Sequence, residues 1–194
     1  MSERGRPRST DIDAAIIHAA TELLIERGFS QVTVEDVIVR AGTSRPAFYR
    51  RYGGIVDLLP DVLEHRLDPA PQVDTGTLHG DLRALIDAAV SVFSDPLIAS
   101  RAAGFLSIAS RDPEHGRGVG RRFIAPWRQA FDTAIERAAE RGESVSELPS
   151  GTLFDLVIGP MLSRALLPGA PPIEPEFAMH ALWIASAICD RRPD

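Results

Sequence analysis

Apolar residues in this chain are spaced for helices. Over most of its 194 residues they recur three and four positions apart, and stretches that alternate every second position are few. The period is that of an amphipathic α-helix, so the sequence predicts an all-α protein. Glycine and proline breakers separate nine expected helices, at 11–28, 33–41, 44–51, 55–67, 77–94, 97–110, 118–141, 151–166 and 174–190.

The composition argues against several kinds of protein. The chain has 44% apolar and 25% charged residues, as a globular protein does, and its one cysteine, Cys189, cannot pair within the chain. Cysteine and histidine do not cluster at metal-ligand spacing, and the five histidines have no serine or carboxylate partner at a catalytic spacing. No apolar run reaches the length of a membrane span. We therefore expect a soluble cytoplasmic protein that is not an enzyme and needs no metal or cofactor.

Charge is distributed unevenly along the chain. The net charge of -6 is unfavourable for binding phosphates. Residues 1–52, however, hold eight arginines against seven acidic residues, whereas 53–194 hold thirteen against twenty. The excess of acid therefore lies in the second part, and the Pro-rich polar stretch at 68–77 is the best candidate for a boundary between the two parts.

Two short helices joined by a tight turn are predicted near the N-terminus. Thr33 can cap a helix that ends at Gly42, and Ser44 can cap the next one. Pro46 falls in the first turn of that second helix, where a missing amide hydrogen costs little. A helix, a three-residue turn and a second helix dense in Arg and Tyr follow the helix-turn-helix plan.

This segment resembles the DNA-binding signature of the TetR family through the sequences TVEDV at 33–37, GTS at 42–44 and FYRRY at 48–52. Residues 111–114, 136–143 and 155–161 are similar to one class of TetR C-terminal domains. The resemblance implies a three-helix helix-turn-helix domain over 1–55 and a helical ligand-binding and dimerisation domain over 56–194. It further implies a homodimeric repressor that binds a palindromic double-stranded DNA operator and is released by a small-molecule ligand.

One departure from the family leaves a second interpretation open. Gly54 and Ile55 stand where the family usually has a small polar residue and a lysine that reaches a backbone phosphate. Arg50 and Arg51 can replace that charge. The alternative is a helical small-molecule-binding protein that has lost DNA binding.

Arg45 is the first candidate for reading bases, because its guanidinium can donate two hydrogen bonds to guanine. Short hydroxyls near helix starts are suited to phosphates. Tyr49 either covers the core or, as the resemblance implies, meets a phosphate, and Arg50 is a phosphate ligand or a solvated charge. A basic arm before the first helix either enters the minor groove or is a solubilising tail. The candidate DNA-binding residues are Arg6, Arg8, Thr33, Thr43, Ser44, Arg45, Pro46, Tyr49, Arg50 and Tyr52.

Helices in the second part carry apolar residues on more than one side. The resemblance implies that they enclose an inducer pocket, for which the candidate lining residues are Phe93, Phe105, Trp127, Phe131 and Met161. The last two helices are apolar on most sides, so we expect a partner chain to cover them in a four-helix bundle. The candidate interface residues are Leu153, Val157, Ile158, Met161, Leu162, Phe177, Ala181, Trp183, Ile184 and Ile188.

Overall fold

A computed structural model describes residues 9–95, 97–98, 117–118, 120–145, 149, 151–167 and 169–189. Within these ranges the chain forms α-helices and no β-strand, which confirms the predicted all-α class. The predicted helix at 97–110 lies, apart from Leu97 and Ile98, outside the described residues. The described helices are α1 (Ser9–Arg27), α2 (Val34–Ala41), α3 (Arg45–Tyr49), α4 (Leu59–Arg66), α5 (Leu78–Ser94), α6 (Ala125–Glu140), α7 (Thr152–Leu166) and α8 (Pro175–Cys189).

The described chain divides into two compact units, the first formed by residues 9–67 with 117–118 and the second by the remaining described residues from 68 onward. Helices α1 to α4 belong to the first unit and helices α5 to α8 to the second. The first unit extends past residue 55, where the first domain was predicted to end, because α4 packs on α1. The apolar residues of α4, Leu59, Val62 and Leu63, are buried by this packing.

The core of the first unit is built on one face of α1. Ile16, Leu23 and Leu24 are buried there at helical spacing, and Val37 of α2 and Phe48 of α3 are buried with them. Phe48 is 0% exposed, although α3 has only five residues. The short helix is therefore held mainly by this side chain, since a single turn of helix is not stable on its own.

The second unit is a helical bundle in which α5 contacts α6, α7 and α8. Its fully buried side chains include Leu82, Leu85 and Ile86 of α5 and Phe131 of α6. The ring of Phe131 meets that of Phe154 of α7 edge to face, with centroids 5.8 Å apart. These contacts make α5 the central helix of this unit.

A buried carboxylate fixes the loop that leads into α5. Oδ1 of Asp81 accepts hydrogen bonds from the backbone N–H of Thr75 at 2.6 Å and from its hydroxyl at 2.8 Å. Arg141, at the end of α6, brings Nη2 to 3.5 Å from Oδ2 of Asp81. Glu143 accepts from the N–H of Leu78 at 2.8 Å. The start of α5 and the end of α6 are thereby joined by charged groups.

We expect Phe48→Ala to lower the free energy of unfolding of the first unit by about 3–5 kcal/mol, because it leaves a cavity under α3. Val39→Ala is the matched control, since Val39 is 71% exposed on α2 and should change stability by no more than about 0.5 kcal/mol. Urea unfolding followed by far-ultraviolet circular dichroism measures both. Equal effects of the two substitutions would show that Phe48 does not anchor α3.

Candidate DNA-binding interface

The start of α2 is fixed by a capping box. The Thr33 hydroxyl accepts from the N–H of Asp36 at 3.2 Å, and the Asp36 carboxylate accepts from the N–H of Thr33 at 2.9 Å. Arg27 of α1 donates to the same carboxylate at 3.1 Å. Hydrogen bonds from Thr33, and then the charge and hydrogen bond of Arg27, lower the pKa of Asp36. Thr33 is therefore an exposed cap whose hydroxyl already has a partner.

The turn between α2 and α3 needs a glycine. Gly42 has φ +61°, in the left-handed region, and its N–H and that of Thr43 satisfy the last carbonyl groups of α2. The Ser44 hydroxyl then accepts from the N–H of Ala47 at 3.3 Å and caps α3, with Pro46 in the first turn. The structure thus has the predicted helix, three-residue turn and helix, and Thr43 lies half-buried in the turn.

Tyr52 anchors the end of α3 from inside the unit. Its ring packs on that of Phe48 with centroids 5.8 Å apart, and its hydroxyl donates to Asp61 of α4 at 2.8 Å. Burial, followed by the hydrogen bond to Asp61, raises the pKa of Tyr52, so the hydroxyl stays protonated. A buried side chain with an engaged hydroxyl is poorly placed to contact DNA. The structure therefore gives Tyr52 a positioning role in place of the predicted direct contact.

Two arginines of the first unit hold helices together. Arg51, whose side chain is 16% exposed, donates to Asp13 of α1 and, at 3.0 Å, to the carbonyl of Ala47. Arg40 of α2 donates to both carboxylate oxygens of Glu26 of α1 at 2.9 Å. Arg51 is thus poorly placed to replace the lysine that the family has at position 55. Arg50 is exposed and has no ion pair among the described residues.

The outer face of α3 carries the strongest candidates. Arg45 and Tyr49, one helical turn apart, are both exposed, as are Ser44 and Pro46. The Tyr49 ring packs edge-on against the Phe48 ring with centroids 5.4 Å apart. This contact holds the side chain in place while about half of it is exposed to solvent. Arg6 and Arg8, the predicted minor-groove residues, lie outside the described residues.

Two acidic residues of this unit have partners that the sequence did not predict. Glu35 of α2 accepts from Nε of Arg45 at 2.9 Å and from Nη2 at 2.6 Å. Asp57 accepts from the N–H of Gly53 at 2.6 Å, and a Cβ at Gly53 would lie 2.7 Å from that carboxylate. The available signal for Glu35 was its place in the first turn of α2, because a helix-turn-helix brings the starts of its two helices close together.

Two family models together match most of the chain. Residues 16–62 match the bacterial regulatory proteins of the tetR family, and residues 72–183 match the tetracyclin repressor-like C-terminal domain. The chain belongs to the TetR family. The resemblance read from the sequence is confirmed, and the TetR-family chain is a DNA-binding transcriptional regulator.

Relatives of this TetR-family chain match over nearly its whole length. The uncharacterized HTH-type transcriptional regulator YdeS of Bacillus subtilis is 29% identical over 87% of this chain and 85% of its own length. The HTH-type transcriptional regulator EthR of Mycolicibacterium smegmatis is 26% identical over 93% of this chain and 88% of its own. The crystal structure of TetR family transcription regulator SCO0332 has a TM-score of 0.67 and 23% identity, and the match covers 94% of this chain and 100% of that one. This last likeness shows a shared fold.

Four of the residues predicted for the ligand site of this TetR-family chain, Phe93, Trp127, Phe131 and Met161, lie in the second unit. Phe131 and Met161 are fully buried in its core, and Phe93 and Trp127 pack half-buried against that core. Phe105 lies outside the described residues. No described helix is both long and apolar enough to cross a membrane.

The residues predicted for the dimer interface fall into groups that differ in exposure. Leu153, Val157, Ile158, Met161 and Ala181 are buried within the chain itself, so they support α7 and α8 from inside. Leu162, Phe177 and Ile188 are partly buried. Of the predicted residues, Trp183 and Ile184 of α8 are exposed. Leu156 of α7 and Met179 of α8 are also exposed and were not predicted.

We expect Asp36→Asn to destabilise the first unit at neutral pH, because the ionised carboxylate holds Thr33 and Arg27. The pKa of Asp36 is lowered in the folded chain, so its contribution is complete above the ordinary pKa of the group and is lost as pH falls through the folded value. Urea unfolding of the wild type and the variant at a series of pH values measures this. The difference should shrink in acid, and a difference that stays constant from neutral pH to below pH 3.8 would contradict the assignment.

Proposed function

We propose that this TetR-family regulator is a homodimeric repressor whose α3 reads base edges in the major groove and which a small-molecule ligand releases from its operator. The observation that carries the proposal is the division of α3 into two sets of residues. Ala47 and Phe48 are buried, whereas Arg45, Pro46 and Tyr49 are exposed, as is Arg50 directly after the helix. A rigid short helix with an exposed arginine in its first turn is what major-groove reading needs.

We assign base reading to Arg45, because an arginine can bond O6 and N7 of guanine together. Ser44, Thr43, Tyr49 and Arg50 are assigned to phosphates, since hydroxyl groups and single charges position a protein on DNA without specifying sequence. Thr33, at the start of α2, is also assigned to a phosphate. The arm with Arg6 and Arg8 is assigned to the minor groove.

A mobility-shift titration with DNA from the neighbourhood of the protein's own gene tests DNA binding. The expected result is a discrete complex that survives an excess of unrelated duplex. Failure to bind that DNA and a pool of random duplexes would favour the alternative of a ligand-binding protein that has lost DNA binding.

Arg45→Ala should reduce discrimination between the preferred duplex and random duplex by about 1–3 kcal/mol, because it removes donors to a base edge. Tyr49→Phe should weaken binding to both duplexes equally, because it removes a phosphate contact. Fluorescence anisotropy with both duplexes at fixed salt separates the two roles. If Arg45→Ala weakened both duplexes by the same factor, Arg45 would be a phosphate ligand.

We place the dimer interface on the exposed sides of α7 and α8. Leu156, Met179, Trp183 and Ile184 are large apolar side chains that the chain itself leaves exposed, and Trp183 is 71% exposed. Apolar surface of this kind on neighbouring helices is typical of protein interfaces. Two copies related by a twofold axis would bury it in a four-helix bundle, and a twofold axis matches a palindromic operator.

Trp183→Glu should dissociate the dimer without unfolding the chain, because it places a charge in the apolar interface but not in the chain's own core. Gln129→Glu, at an exposed site on α6, is the control and should stay dimeric. Sedimentation velocity gives the mass, and far-ultraviolet circular dichroism checks the fold. A folded Trp183→Glu variant that remained dimeric at low micromolar concentration would show that the interface lies elsewhere.

Release by ligand follows from differential affinity. A molecule that binds one arrangement of the dimer better than another shifts the population toward it, and operator affinity falls if that arrangement fits DNA poorly. We propose Phe93, Phe105, Trp127, Phe131 and Met161 for the site, because small-molecule pockets are lined mainly by apolar and aromatic side chains. Compounds that release the protein from DNA and raise its melting temperature identify the ligand class.

A further inference from the structure

The start of α2 places a carboxylate on the arginine assigned to base reading. Glu35 and Arg45 belong to different helices, yet one oxygen, Oε2, accepts from Nε at 2.9 Å and from Nη2 at 2.6 Å. Both side chains are more than half exposed, at 54% and 67%. The pair is therefore formed at the surface, on the side of the module where α2 and α3 begin.

A guanidinium group has two edges that each present a pair of parallel donors. One edge is formed by Nε with Nη2, and the other by Nη1 with Nη2. Glu35 occupies the first edge, and Arg45 makes no hydrogen bond with the second edge to any described residue. The open edge has the two donors that guanine O6 and N7 require, so contact with guanine does not need the pair to break.

We propose that Glu35 is a positioning residue that turns Arg45 into a selective guanine reader. The proposal rests on the base-reading role assigned to Arg45 above. Holding the guanidinium before DNA arrives reduces the side-chain entropy lost on binding, as preorganisation does generally. The carboxylate also offsets the arginine charge, which weakens the attraction of Arg45 to phosphates.

These two effects favour specificity over raw affinity. An arginine with a free charge binds phosphates at every position along the duplex, which raises affinity for all sequences alike. An arginine whose Nε–Nη2 edge is held by a carboxylate presents only its other edge, the one that pairs with a base. Arg50, exposed and without an ion pair among the described residues, is the contrasting case of a general phosphate ligand.

The test is selection from a library of randomised double-stranded DNA by the full-length wild type and by three variants. Glu35→Ala removes the carboxylate, Glu35→Gln keeps an oxygen that can accept from Arg45, and Arg45→Ala removes the reader. Glu26→Ala is the matched control, because Glu26 is another exposed carboxylate of the same unit that holds a different arginine, Arg40. Circular dichroism and thermal unfolding establish that each variant is folded.

The wild type should enrich a site with a fixed guanine in each half. Glu35→Ala should lower the preference for guanine at that position by about tenfold and leave the other positions unchanged, because an unrestrained Arg45 discriminates less. Glu35→Gln should restore most of the preference. Both Glu35 variants should bind random duplex more tightly than the wild type does. Glu26→Ala should leave the guanine preference intact.

A double-mutant cycle completes the test. In the Arg45→Ala background, Glu35→Ala should have no further effect on base preference, because the residue through which Glu35 acts is gone. Unchanged or stronger guanine preference in the folded Glu35→Ala variant would overturn the proposal, the latter by showing that Glu35 masks Arg45. If the wild type enriches no sequence, the proposed base reading by α3 fails instead, so the two failures are distinct.

Discussion

The anchoring of α3 by Phe48 is the contact on which the first unit depends. A helix of five residues has too few internal hydrogen bonds to persist alone, and its position comes from the single aromatic ring that it inserts into the core. Tyr52 then fixes the chain just after α3 to α4, and Ser44 fixes its start. These contacts set the orientation of every exposed side chain of α3.

Ion pairs between arginines and acidic residues account for the nearly balanced charge of this unit. A DNA-binding surface is expected to be basic, yet the first 52 residues carry almost as many acids as arginines. The acids are used structurally: Asp13, Glu26 and Asp36 each take an arginine that belongs to another element. The unit thus obtains its internal rigidity from ion pairs, and few of its described arginines are left for phosphates.

Much of this architecture could be predicted from local signals. The helix-turn-helix was predicted because Thr33, Gly42 and Ser44 form caps and a turn with residues only a few positions away, and the residue preferences of caps and turns are specific. The partners of long side chains could not be predicted in the same way. Arg51 meets Asp13 across 38 positions, and the pairing depends on how two helices cross. The roles of Tyr52 and Arg51 therefore needed the structure.

Helices α7 and α8, proposed for the dimer interface, show the same limit on a larger scale. A helix that is apolar on most sides indicates burial, but the sequence does not tell which side faces the chain's own core. Val157 and Met161 face that core, and Trp183 and Ile184 do not. The sequence predicted that the two helices form, and the exposure of individual side chains distinguishes their buried and exposed faces.

The interleaving of buried and exposed residues along α3 has a consequence for how such regulators diversify. Residues that hold the helix, such as Phe48, are different from those that face outward, such as Arg45 and Tyr49. Selection for a new operator can therefore act on the outward positions while the fold stays under separate selection. Duplicated copies of a gene like this one can acquire distinct targets through a few substitutions, without first passing through an unstable protein.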